Sequence, residues 1–153
     1  MHHEILGEII LDGESGDRIA TISYGSRQVN VRLMPDDQAF EATLRLAEGV
    51  VGRLDEFDAI AKQVAVADLR ETYNTGWNEF DEAQPDGSLK TVSNPQLSEA
   101  EFKRKLSLNA INVTGDQMID FFYDDENMFW GHSVVVNSLN GLDFTKATAE
   151  LFG

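Results

Sequence analysis

Between Gln28 and Leu33 the chain alternates strictly, with Val29, Val31 and Leu33 on one side and Gln28, Asn30 and Arg32 on the other. A period of two is the spacing of a pleated strand, so this segment predicts a sheet with one dry and one wet face. Ile5 to Leu11 is a short apolar run ending in the turn-rich Asp12-Gly13-Glu14-Ser15-Gly16-Asp17. Ile19 to Tyr24 follows as a second strand before a turn at Gly25-Ser26. Together these segments predict an N-terminal antiparallel β unit.

Beyond Pro35 the period changes. Phe40, Leu44, Ala47 and Val51 recur at helical spacing, with Asp36 or Asp37 as the expected cap and Gly49 and Gly52 bracketing a break. A second helix is predicted from about Asp55 to Tyr73. Phe57, Ile60, Ala61, Val64 and Ala67 line one face, and Val66, Leu69 and Tyr73 another, so cover is expected on more than one side. Residues 74–95 carry Asn-Thr-Gly, Pro85-Asp86-Gly87 and Asn94-Pro95 and read as an irregular loop pinned by Trp77 and Phe80. Ser98 with Glu101 forms a capping box for a short helix to about Lys105.

The last third returns to strands: Leu106 to Val113, Gln117 to Tyr123, Phe129 to Ser138, and Leu142 to about Ala149. Gly115-Asp116 is a turn, and Asn140-Gly141 is a two-residue hairpin signal. The expected fold class is α+β: an N-terminal antiparallel β unit, two central helices and a C-terminal four-stranded antiparallel meander, in one domain over residues 1–153.

Charge constrains the partners. The chain has 27 acidic and 12 basic residues, for a formal net charge of −15. Such a surface repels nucleic-acid phosphate and anionic lipid, so neither is an expected partner, whereas a basic protein is attracted. Solubility alone is the plainer account of the same charge. There is no cysteine, which excludes disulfides, thiolate metal sites and cysteine nucleophiles. With no apolar run of membrane-spanning length, and a start at Met1-His2-His3-Glu4 unlike a signal peptide, a cytoplasmic location is expected. His2 and His3 are assigned no role.

The most unusual stretch runs from Phe121 to His132 and joins aromatic residues across an acidic turn. Asp124, Asp125 and Glu126 offer hard oxygen ligands but lack the alternating spacing of a calcium loop; a solvated turn accounts for them, and no metal or other cofactor is expected. His132 is the only histidine outside the first three residues. With Asp124 or Asp125 beside it, His132 is the weak candidate for a catalytic acid or base. A hydrogen-bonded structural histidine in an aromatic strand is the plainer account, so no catalytic residue is assigned. Gly131 reads as a bulge or a point of close approach. Trp77, flanked by Asn74 and Asn78, is either a partner-binding anchor or a loop anchor tucked into the core. Asp12, Glu14 and Asp17 are explained by a charged turn. Lys103, Arg104 and Lys105 suit the negative end of a helix. No phosphate loop, zinc motif or nucleophile elbow occurs.

Tyr73-Asn74 with Trp77, then Phe102 and Leu106, then Tyr123-Asp124-Asp125 and Phe129-Trp130-Gly131-His132 resemble the bacterial family called domain of unknown function 2262. Gly141, Phe144 and Ala147 also fit its closing strand, so the similarity covers roughly residues 70–150. Phe-Trp-Gly-His after an acidic turn is its most specific part. The resemblance implies no mechanism and transfers no catalytic residue.

Two readings of function follow. One is an acidic protein-binding module contacting a basic partner through Trp77, Asp124, Asp125 and Glu126. By analogy of size, charge and class it is an immunity-type protein neutralising a basic toxin. The alternative is an enzyme using His132 with Asp124 or Asp125.

Overall fold

The structure is a computed structural model describing residues 1–153. Strands β1 (His2–His3), β2 (Gly7–Leu11), β3 (Arg18–Tyr24) and β4 (Arg27–Met34) pair antiparallel in sequence order. The alternation read in β4 is real: Val29, Val31 and Leu33 are fully buried, while Gln28 and Asn30 are exposed. Helices α1 (Phe40–Val51) and α2 (Leu54–Thr72) follow, and α2 runs into a single π-turn at Tyr73–Trp77. A hairpin of β5 (Glu79–Ala83) and β6 (Leu89–Ser93) comes next, then α3 (Glu99–Arg104), capped by the predicted Ser98–Glu101 box. Strands β7 (Ser107–Thr114), β8 (Met118–Asp124), β9 (Ser133–Ser138) and β10 (Thr148–Phe152) form an antiparallel meander.

The two β blocks are one sheet. β4 pairs with β7 in parallel, from Asn30 opposite Ala110 to Met34 opposite Thr114, giving eight strands in the order β1-β2-β3-β4-β7-β8-β9-β10. A parallel pair needs a long crossover, and residues 35–106 supply it. α1 lies against β4 and β7, and α2 against β9 and β10, so the helices cover one face. The opposite face presents Asn30, Asn112, Asp120 and Asn137. No helix is long and apolar enough to cross a membrane.

Several expectations are corrected. Neither Asp36 nor Asp37 caps α1; the cap position is Ala39, with no side-chain bond, and Asp36 takes φ +58° in the preceding turn. The buried stripe of α1 is Thr43, Leu46, Ala47 and Val50, because Phe40 sits at the margin of the core beneath the Arg18 guanidinium, 4.1 Å from its ring centroid. The predicted break falls at Gly52, the C-cap of α1, and Gly49 lies inside the helix. A Cβ there would lie 2.9 Å from Leu142 Cδ1, so the glycine admits a neighbouring side chain. In α2, Ile60 and Ala67 face solvent, whereas Ala65, Val66 and Leu69 are buried, and α3 packs on the helix as a second cover. Residues 74–95 are ordered as the π-turn and the β5–β6 hairpin, with Pro85-Asp86-Gly87 in its turn. The segment Phe129–His132 lies in turns, and the strand begins only at Ser133. Asn140-Gly141 is no two-residue hairpin: it belongs to a connection over 139–147, where Ser138 Oγ donates to the Gly141 carbonyl at 2.8 Å, and the closing strand starts at Thr148.

Candidate functional site: an aromatic groove beside an acidic arm

The π-turn ends α2 with the Asn78 amide donating to the Tyr73 carbonyl at 3.0 Å. Such turns arise where a helix gains an extra residue, often near functional sites. Asn74 fastens the chain as it returns: its Oδ1 accepts from the Leu97 amide at 2.8 Å and its Nδ2 donates to the Leu97 carbonyl at 3.0 Å. Asn78 does the same at the base of the hairpin, with its Nδ2 donating to the Asn94 carbonyl at 3.0 Å and its own carbonyl accepting the Asn94 amide at 2.7 Å. Both asparagines are therefore clamps. Between them β5 and β6 project as an arm, with every β5 residue exposed and all of β6 exposed except the half-buried Val92.

The second wall is the loop 125–132. Glu126, Asn127 and Trp130 adopt φ of +53°, +61° and +53°, and Gly131 follows at +89°. A left-handed conformation is costly for a residue as bulky as tryptophan and persists only where surroundings impose it. Here two groups impose it. Asp125 accepts the Asn127 amide at 3.0 Å and the Phe129 amide at 3.1 Å, folding the loop around its carboxylate. The Phe129 ring is fully buried, edge-on to Tyr73, Trp77 and Phe102 at centroid distances of 5.8, 5.5 and 6.4 Å. With its neighbour pinned inward, Trp130 is turned outward: it is 52% exposed, yet its ring centroid lies 4.9 Å from that of Trp77. Gly131 is required for its positive φ and not for close approach, since nothing lies within 4 Å of the Cβ it lacks.

Between arm and loop runs a groove of about 750 Å³ lined by Tyr73, Trp77, Phe80, Pro95, Met128 and Trp130. Glu101, Lys105 and Glu126 also line it, with Lys105 Nζ 3.4 Å from Glu126 Oε2. The arm adds Glu79, Asp81, Glu82 and Asp86 against Lys90 alone. A cleft of equal volume sits at the α1–α2 junction, but the guanidinium that lines it, Arg53, is already paired with Glu56 at 2.7 Å.

The candidates read from sequence separate in space. Trp77 is half-buried and lines the groove, as does Glu126. Asp124 is exposed but faces Arg27, 3.3 Å away. Asp125, only 4% exposed, is occupied by the loop's own amides; burial raises its pKa above the usual carboxylate value despite those donors, and it has no surface to offer a partner. His132 Nδ1 lies 2.8 Å from the Phe129 carbonyl, and since a carbonyl only accepts, Nδ1 carries the proton. Its ring stands edge-on to Trp77 at 5.6 Å. It borders a polar hollow of about 310 Å³ with Asp124 and Asp125, but forms an ion pair with neither. Asp12 and Asp17 hold Arg32 at 3.3 and 3.0 Å, and no group of three or more histidines and carboxylates is arranged to hold a metal ion. Sequence reasoning missed Trp130 and Phe80 as groove residues.

Tyr73, Trp77, Phe102, Phe129, Trp130 and His132, which carry the family resemblance, meet in this one cluster. No curated protein and no solved structure matches the chain. A family model described as an uncharacterized protein conserved in bacteria matches residues 3–148. The chain therefore belongs to that bacterial family, domain of unknown function 2262.

Proposed function

We propose that the chain is a protein-binding module whose aromatic groove receives a basic segment of its partner. The observation that carries this reading is Trp130, held outward by a strained backbone against Trp77 and beside a strongly acidic arm. Exposing a tryptophan to water is unfavourable, and aromatic faces attract ammonium and guanidinium groups. Glu101 and Glu126 line the groove beside those faces, Glu79, Asp81 and Glu82 charge the adjoining arm, and the net charge of −15 draws a cationic protein toward the molecule as a whole. Trp77 and Glu126 retain the contact role expected of them, Asp124 lines the neighbouring polar hollow and pairs with Arg27, and Asp125 supports the loop from within. Where the partner is a toxin, the module acts as an immunity protein, a reading supported by size and charge alone.

The test is affinity capture from the native cell lysate with wild-type and Trp130→Ala baits in parallel. A basic protein retained by the wild type in low salt, and lost both in high salt and with Trp130→Ala, is the expected result. Retention of the same protein by both baits would exclude the groove as the contact site.

A further inference from the structure

We infer that the partner segment binds as an added β-strand along the free edge of β5, with cations and apolar residues alternating; this rests on the groove reading above. Elsewhere this molecule manages its strand edges. On β10 the outward Ala149 amide donates to Asp68 Oδ2 of α2 at 2.8 Å, and the helix packs over the strand. β2 is covered in part by β1. The arm differs. β5 and β6 pair only with each other, so each leaves an outer row of backbone donors and acceptors. A two-stranded ribbon is marginally stable by itself, and an open edge is a template for another strand. Asn74 and Asn78 hold the base of this ribbon in place without covering either edge.

The side chains select β5 and the kind of strand. Glu79 and Asp81 lie on one face of the arm, while Phe80 lies on the other and lines the groove. A strand added to β5 sets its residues directly opposite these, about 5 Å away. A cation–apolar–cation sequence then places two positive groups against Glu79 and Asp81, and its apolar side chain on Phe80 toward the tryptophans. A second copy of this chain is the wrong occupant: its β5 would bring acidic residues against acidic ones, and like charges across a strand pair repel. Backbone bonding gives such a complex its affinity, and the alternating side chains give it selectivity.

The probe is an acetylated, amidated octapeptide of alternating lysine and valine, compared with the same peptide N-methylated at every second residue. Both tryptophans of the chain line the groove, so intrinsic fluorescence reports its occupancy. Hydrogen exchange reports the arm. The unmodified peptide is expected to shift tryptophan emission, to slow exchange at the Glu79–Ala83 amides by about tenfold or more, and to lose about tenfold in affinity on N-methylation. Equal binding of the two peptides, with emission shifted but β5 exchange unchanged, overturns strand addition and leaves the groove reading standing. If neither peptide binds, both fall. Protection of β5 that rises with protein concentration alone would identify a second copy as the occupant and overturn the inferred partner.

Discussion

Asp120 lies half-buried on the uncovered sheet face, where Asn137 Nδ2 donates to its Oδ1 at 2.5 Å. Burial raises its pKa above the ordinary 3.8, the nearby Glu150 adds to the rise, and the Asn137 bond opposes it. The native state thus binds this proton more tightly than the unfolded chain does. Its contribution to stability is fully present below pH 3.8 and is lost as pH climbs through the raised value. Asp120→Asn keeps the oxygen that accepts from Asn137 and removes the charge. The melting temperature of the variant, relative to wild type, should therefore rise between pH 4 and pH 7 and then level off. A difference independent of pH across that range would mean that Asp120 does not titrate as described. Asp125 is raised for the same leading reason, but its carboxylate receives two amides at once, and an asparagine would offer only one acceptor oxygen.

Elements are joined by a second buried carboxylate. Asp58 of α2 accepts from Tyr123 of β8 at 2.7 Å and from Tyr24 of β3 at 2.9 Å, and pairs with Lys62 at 3.3 Å. Burial, then the carboxylate itself, raises the Tyr123 pKa; for Tyr24 the same two causes act in the same order. Both hydroxyls therefore remain donors at any physiological pH. Tyr123→Phe leaves a buried carboxylate short of a donor and should cost about 1.5–3 kcal/mol in urea unfolding. Tyr24→Phe, at a half-buried position, should cost less; equal losses would show that the burial difference is immaterial. None of this is legible in sequence, since a lone carboxylate beside the second apolar face of α2 does not announce its partners, which lie 34 and 65 residues away. What was legible is local. The β4 alternation and the Ser98–Glu101 box depend on neighbours in sequence, and both formed as read. The arm was overlooked because its strands bury almost nothing, so no alternation marks them, although Pro85-Asp86-Gly87 lies between them. Of the site, Trp77 was readable as an anchor. The outward turn of Trp130 was not, because it follows from the burial of Phe129 beside residues of the π-turn and α3.

Over the whole molecule, charge and shape act on different steps of association. The net charge of −15 is spread across the chain, so its field reaches a cationic partner before contact and governs the rate of encounter. Salt screens that field, with a Debye length of about 10 Å at 0.1 M falling to about 3 Å at 1 M. The tryptophans act only after docking. Trp77 and Trp130 provide a short-range surface, and most of what such anchors contribute appears in how slowly a complex comes apart. The two contributions should separate in stopped-flow measurements with the captured partner. Raising salt from 0.05 to 0.5 M should cut the association rate by about tenfold or more while the dissociation rate changes little. Trp130→Ala should do the reverse, accelerating dissociation by about tenfold while association keeps its wild-type salt dependence. Because Trp130 is already half in water, its removal should leave the melting temperature nearly unchanged, so a binding defect in that variant reports on the groove and not on folding. A Trp130→Ala complex that dissociates at the wild-type rate, in a variant of wild-type stability, would place the contact surface elsewhere on the molecule.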